Sequence, residues 1–352
     1  MVDISLFPVI KIFVLTTVAF ILAFLLTPSW TYVLYRYRIG KKIRSASLAP
    51  IFSKLHQAKE GTPTMGGVLV WMTVLVVALF FYYAAQYAPG SLFARFNFLN
   101  RGQTLLPLGA LILSSLAGLA DDWLNIRGRG IFKNGLPILY RLGVYTAIAA
   151  VGSIWFFFKL DWDLLHIPFA GNFEIGPWYI PIFIFIIVAT AFSVNEADGL
   201  DGLAGGLLLA AFSAFGTMAF VVGKYDLASF CGVIVGALLA FLWFNINPAR
   251  FFMGDTGAMG LGVTLGIVAM LTNTALLLPV VCFLFVLESV SVIVQVSSKK
   301  LRNKKVFLSA PLHHHFEAIG WSEPKIVMRF WVIAAVTAVM GVILFLVDKT
   351  AF

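Results

Sequence analysis

Five carboxylates stand where an apolar chain has least use for them. Asp121 and Asp122 close the run LAGLADDW, Asp198 and Asp201 lie in VNEADGLDGLAGG, and Asp255 lies in NPARFFMGDTG. Charge at the end of so apolar a stretch is expensive and usually functional. Carboxylates gathered at one membrane face would bind a divalent cation, and a hard cation recruits phosphate oxygens as well as carboxylates. The chemistry this points to is metal-assisted work on phosphates.

Each group also has a plainer reading. Asp121-Asp122 at a helix C-terminus oppose each other and the negative end of the macrodipole, so a structural role would need cations such as Arg127 or Arg129 beside them. Asn195, Asp198 and Asp201 recur every three residues and would share one helix face. Gly199, Gly202, Gly205 and Gly206 allow close approach of a bulky ligand there. As a structural role, either Asp198 or Asp201 could cap the helix that follows. Asp255 or Thr256 could likewise be an N-cap; the functional reading uses the same helix start to attract phosphate, with Asp255 on the metal. Phe252, just upstream, could stack on a base.

A further set surrounds these. TPTMGG at 62–67 follows Lys59 and reads either as a helix start or, with Thr64, as part of the same face. PLHHHFE at 311–317 lies in a basic loop spanning 298–329. Three adjacent His residues cannot easily ligate one zinc, so phosphate recognition by His313, His314 and His315 is preferred. An affinity tag is excluded because the triplet is internal. Glu288 sits inside CFLFVLESVSVIVQV and must be protonated, paired or facing a polar cavity. Cys231 and Cys282 lie within apolar runs and read as packing residues.

The elements that must position these groups are membrane helices. Of 352 residues 61% are hydrophobic and 12% charged, about half the charge of an average soluble domain. Runs near 12–35, 65–87, 104–120, 141–158, 179–195, 204–222, 228–244, 259–274, 279–297 and 328–347 approach the roughly 20 residues a spanning helix needs. They lack the period-2 alternation of a membrane barrel. The expectation is an all-α polytopic bundle of about ten transmembrane helices, one domain over residues 1–352. The first run has no small-residue cleavage site and reads as a retained helix.

Alternate loops collect nineteen of the 25 Lys and Arg on one side: Arg36, Arg38, Lys41, Lys42, Arg44, Lys54, Lys59, Arg127, Arg129, Lys133, Arg141, Arg250 and the basic residues between Lys299 and Arg329. That side is expected to be cytoplasmic, with both termini outside and the active site on the cytoplasmic face. The net charge of +9 then serves topology and attraction for anionic substrates and lipid headgroups, not nucleic-acid binding.

Taken in order, TPTMGG, DD, DGLDGLAGG, NPARFFMGDTG, LESVSVIVQV, PLHHHFEAIGW and EPKIVMRFW resemble the phospho-N-acetylmuramoyl-pentapeptide transferases of peptidoglycan synthesis, from about Lys59 to Trp331. The triple His separates this branch from related polyprenyl-phosphate sugar transferases. One segment departs: Phe192, Glu196 and Ala197 differ from the family's usual residues, whereas Asn195, Asp198 and Asp201 match. The resemblance implies ten helices in a bacterial cytoplasmic membrane and Mg²⁺ as cofactor. It implies transfer of phospho-MurNAc-pentapeptide from UDP-MurNAc-pentapeptide to undecaprenyl phosphate, giving lipid I and UMP. It places Asp121, Asp122 and Asp255 in catalysis, with Asp255 on the metal. Substrate contacts fall to Lys59, Thr64, Asn195, Asp198, Asp201, Asn245, Phe252, Gln295, His313, His314 and His315. A homodimer is allowed, the chain itself fixing no oligomeric state.

Two rivals remain at this point. A sister enzyme would use a different UDP-amino sugar. An ion-coupled transporter would also carry membrane carboxylates, but near the midplane and often with repeat symmetry, and no repeat is visible here.

Overall fold

The computed structural model describes residues 6–37, 39–40, 59–127 and 135–351. Arg38, Lys41, Lys42, Arg44, Lys54, Arg129 and Lys133, counted above for orientation, lie outside the described residues. All ten expected segments are helical. They are α1 (Leu6–Arg36), α2 (Val68–Tyr87), α3 (Leu105–Arg127), α4 (Ile138–Lys159), α5 (Tyr179–Ala197), α6 (Leu203–Val221), α7 (Tyr225–Asn245), α8 (Asp255–Leu271), the pair α9 (Leu278–Val281) and α10 (Phe283–Arg302), and α12 (Glu323–Ala351). The short α11 (Leu312–Ala318) carries the three histidines. The fold is a polytopic all-α membrane bundle.

Among the described residues eight helices are long and apolar enough to cross a membrane alone. The other two segments differ from plain spans. The segment expected as one helix over 279–297 is broken, its halves meeting at 84°. Pro279 sits in the first turn of α9, and Cys282, at φ −102° and ψ 31°, leaves helical geometry between the halves. Helix α8 has only 17 residues, roughly 25 Å at 1.5 Å per residue. It is shorter than about 30 Å of hydrocarbon, and every residue from Thr256 to Leu271 is buried.

The depth of α8 follows from its glycines. A Cβ on Gly262 would lie 2.8 Å from Ala191 Cα of α5, and one on Gly118 of α3 would collide with the Asp255 carbonyl oxygen. Small residues let membrane helices approach this closely, where no hydrophobic drive separates helix from lipid. The first residue of α8 is therefore enclosed by α3 and α5.

A small antiparallel hairpin, β1 (Leu164–Ile167) with β2 (Gly171–Glu174), joins α4 to α5 and was not expected from the sequence. His166 and Phe169 tie it to Asp348 near the end of α12. Each strand has four residues, too few for an alternating pattern to register. Cys231 and Cys282 are free and buried, as expected.

Candidate active site

The five carboxylates do gather at one end of the bundle, but they are not equivalent. Asp122 is spent on α8. Its Oδ2 accepts the Thr256 N–H at 3.0 Å and its Oδ1 accepts the Asp255 N–H at 3.2 Å and the Thr64 hydroxyl at 3.3 Å. The residue at the N-cap position is Gly254, with φ 75°. A Cβ there would stand 2.6 Å from both Asp122 Oδ2 and Thr64 Oγ1. Capping is thus supplied across the bundle by Asp122, and neither Asp255 nor Thr256 is the cap.

Asp255 is left to face its neighbours. Its Oδ1 accepts from Asn195 Nδ2 at 2.5 Å, and its Oδ2 lies 3.4 Å from Arg141 Nη2. Asp121, fully buried, accepts the Leu136 N–H and lies 2.6 Å from Arg141 Nε, a close charge contact without the alignment of a hydrogen bond. The cation beside the acidic pair is therefore Arg141 of α4. Arg127 instead lies over the Trp123 ring, and Arg129 is outside the described residues.

Asp198 ends α5 and accepts the Gly254 N–H at 3.1 Å. Asp201 accepts from Lys59 Nζ at 2.6 Å, Asn247 Nδ2 at 3.0 Å and the Ala249 N–H at 3.1 Å. Neither caps α6, whose N-cap is Gly202 in the left-handed region. Lys59 Nζ is clamped between Asp201 and Glu323 Oε1 and lies 5.7 Å from the centre of the Phe252 ring. Asn245 is buried, accepting the Gly202 N–H and donating to the Phe251 carbonyl. It braces the turn from within.

The histidines diverge. His313 is buried, with Nδ1 at 3.0 Å from Glu288 Oε2 and its backbone N–H on the same carboxylate. Burial alone would pull its pKa down, but the surrounding carboxylates, Glu288 foremost with Glu317 and Glu196, together outweigh it and hold the imidazole above its ordinary 6.5. Its other face presses on the 198–202 turn, where a Cβ on Gly199 would collide with Nε2. His314 Nδ1 lies 2.6 Å from Glu317 Oε2, and His315 Nδ1 accepts the Leu308 N–H at 3.3 Å. Gln295 accepts the Val306 and Phe307 N–H groups and donates to the Phe307 carbonyl. Glu288 is thus paired, not lining a groove.

Among the described residues no three His, Cys, Asp or Glu side chains converge as a metal cage. Asp121 and Asp255 nevertheless share one cationic group. That donor set fits Mg²⁺, which is usually held by one or two carboxylates and completes its shell with water and substrate phosphates.

Two residues carry more of this site than the sequence suggested. In the sequence Arg141 reads as an orientation charge, although a lone Arg at the start of an apolar helix is also a functional signal. Glu323, the first residue of EPKIVMRFW, accepts from Lys59, Asn247 and the Asp201 N–H.

Comparison with known proteins follows the same residues. Residues 104–273 match Glycosyl transferase family 4, and residues 59–69 match phospho-N-acetylmuramoyl-pentapeptide-transferase signature 1. The chain is similar to the phospho-N-acetylmuramoyl-pentapeptide-transferase of Chloroflexus aggregans, 38% identical over 95% of this chain and 89% of that protein. It is similar to that of Geobacillus thermodenitrificans at 36% over 92% and 95%, and to that of Desulfosudis oleivorans at 38% over 92% and 89%. The chain belongs to the phospho-N-acetylmuramoyl-pentapeptide-transferase family.

Proposed function

We infer that the Asp121–Asp255 end of the bundle is where this chain carries out its family's reaction. The protein is a membrane phosphotransferase of lipid I synthesis. It transfers phospho-MurNAc-pentapeptide from UDP-MurNAc-pentapeptide to a polyprenyl phosphate and releases UMP. We read residues 1–352 as one domain in a bacterial cytoplasmic membrane, with this end and its Lys and Arg on the cytoplasmic side and undecaprenyl phosphate as acceptor.

The observation that carries the assignment is the sharing of Arg141 by Asp121 and Asp255, two carboxylates from different helices held toward one cation. Asp255 and Asp121 would hold Mg²⁺, which when bound supplies charge against the repulsion between acceptor phosphate and donor pyrophosphate. The acceptor phosphate has a second pKa of about 6 and is mostly dianionic near neutral pH, so no strong general base is required. Its oxygen attacks the sugar-linked phosphorus as the bond from that phosphorus to the UMP oxygen breaks. Asn195 orients Asp255, and Asp122 fixes the helix start that presents it.

The two substrates reach this point from different sides. Phe252 and Lys59 offer a ring face and a cation to the nucleotide at the end of the bundle. An apolar cavity of about 180 Å³ between α5, α8 and the α9–α10 bend, lined by Phe185, Ala189, Leu265 and Phe285, suits part of the acceptor's chain. Collection of the carboxylates at one end disfavours the transporter reading, which places such groups near the midplane. The test is UMP release from UDP-MurNAc-pentapeptide against UDP-GlcNAc, each with undecaprenyl phosphate. Release from the first alone is expected, and release from UDP-GlcNAc alone would assign the sister activity.

A further inference from the structure

Arg141 does something unusual for a residue of a cation-dependent phosphate site: it fills the position a metal would want. Its Nε lies 2.6 Å from Asp121 Oδ2, its Nη2 lies 3.4 Å from Asp255 Oδ2, and its Nη1 donates to Asn195 Oδ1 at 3.2 Å. A buried carboxylate and a half-buried one brought together need a counter-charge. Yet the grip is loose, with one contact off the hydrogen-bond line and another long. A divalent cation and this guanidinium compete for the same two oxygens.

Beside Arg141, between α4 and α5, lies a cavity of about 170 Å³ whose lining includes Tyr145, Phe192, Asn195 and Glu196. Its volume exceeds that of several water molecules at roughly 30 Å³ each. Arg141 and Tyr145 are four residues apart and share a face of α4. The Tyr145 hydroxyl is buried and has no hydrogen-bond partner among the described residues. A buried polar group in that state is disfavoured; the Tyr145 oxygen can accept from a guanidinium placed in the cavity while its O–H turns to an acceptor there. Glu196 supplies a carboxylate at the same cavity. A guanidinium arriving there would donate to Glu196 and Tyr145 and lie against the Phe192 ring, a planar group against an aromatic face.

We propose that Arg141 is a positioning residue with two stations: it holds Asp121 and Asp255 in register, and metal entry moves its guanidinium into the Glu196–Tyr145 cavity. Glu196 thereby favours metal binding without touching the metal. This rests on the reading of Asp121 and Asp255 as the metal pair.

The test is Mn²⁺ binding to the full chain in detergent, followed by electron paramagnetic resonance without substrates. Asp255→Asn is the control, and Mn²⁺ binding that survives it would overturn the metal reading itself. Given that control, Arg141→Gln should bind Mn²⁺ at least about fivefold more tightly than wild type, the low end of coupling between linked equilibria. Glu196→Gln should bind it more weakly by a similar factor. The decisive comparison is the double variant: the Glu196→Gln effect should vanish when Arg141 is already Gln, because Glu196 acts only by receiving the guanidinium. An Arg141→Gln affinity equal to or weaker than wild type would overturn the proposal, and so would an undiminished Glu196→Gln effect in the double variant. Should Arg141→Gln not fold, Arg141→Lys decides: a point charge cannot bridge both carboxylates as the fork does, so tighter Mn²⁺ binding supports the proposal and unchanged binding rejects it.

Discussion

Asp122 caps the helix that Asp255 begins, accepting the Asp255 and Thr256 backbone N–H groups from across the α3–α8 contact. The adjacent acids of the Asp-Asp pair therefore divide their work. Asp122 builds the helix start, and Asp121 shares a cation with Asp255.

That division predicts opposite signatures. Asp122→Ala leaves donors of α8 and Thr64 without an acceptor and should lower stability by about 1–3 kcal/mol, seen as earlier thermal unfolding in detergent. Asp121→Asn keeps an acceptor for the Leu136 N–H and leaves Arg141 its Asp255 contact, so it should unfold closer to wild type than Asp122→Ala does while losing roughly 10²-fold or more in turnover, the scale of one missing electrostatic contact at a reacting centre. Equal stability losses in the two variants would contradict the division.

Lys59 is less free than its place beside Phe252 suggests. It neutralises Asp201 and Glu323 together, so Lys59→Ala leaves two carboxylates facing each other. The expected stability loss is about 3 kcal/mol, the low end for breaking a buried pair, because Lys59 is partly exposed. A Lys59→Ala protein with normal unfolding and only weaker nucleotide binding would refute this.

Much of the site is legible in the amino-acid sequence, and what is not has a physical cause. The acids, TPTMGG and the His triplet announce themselves because charge and polarity stand out against apolar runs. Arg141 and Glu323 sit in the first turns of their helices, where a lone cation reads as topology and an acid reads as a favourable dipole partner. Their meaning comes from partners far along the chain, Asp255 for Arg141 and Lys59 for Glu323, which spacing cannot reveal. The bend at Cys282 is hidden for a related reason: residues 280–287 around it are continuously apolar, and only their packing separates the two halves.

The Glu288–His313 pair gives a pH signature. Glu288, with smaller help from Glu317 and Glu196, holds the His313 pKa above 6.5 against burial, so the folded state favours the imidazolium. The stabilisation is full below the unfolded value of about 6.5 and is lost as pH rises through the higher folded value. Thermal unfolding of wild type and Glu288→Gln should differ more at pH 6 than at pH 9. A gap that widens with pH would show that His313 is held neutral.

Phe252→Ala should weaken UDP-MurNAc-pentapeptide binding by roughly 5- to 150-fold, from about 1–3 kcal/mol per stacked base, and leave the apparent affinity for undecaprenyl phosphate unchanged. Titration of each substrate at saturating concentrations of the other checks this. A defect confined to the lipid would reverse the assignment of the two sides.

The reaction proposed for this end of the bundle rests on one assignment, that Asp255 faces the reacting phosphates as a metal ligand and is not a helix cap. It is tested most directly by UMP release from Asp255→Asn across a Mg²⁺ titration, with thermal unfolding as the control for folding. The protein should unfold like wild type, since Asp122 supplies the cap, and should lose nearly all turnover even at saturating Mg²⁺. Near-normal turnover at saturating Mg²⁺ would show that Asp255 is not a metal ligand.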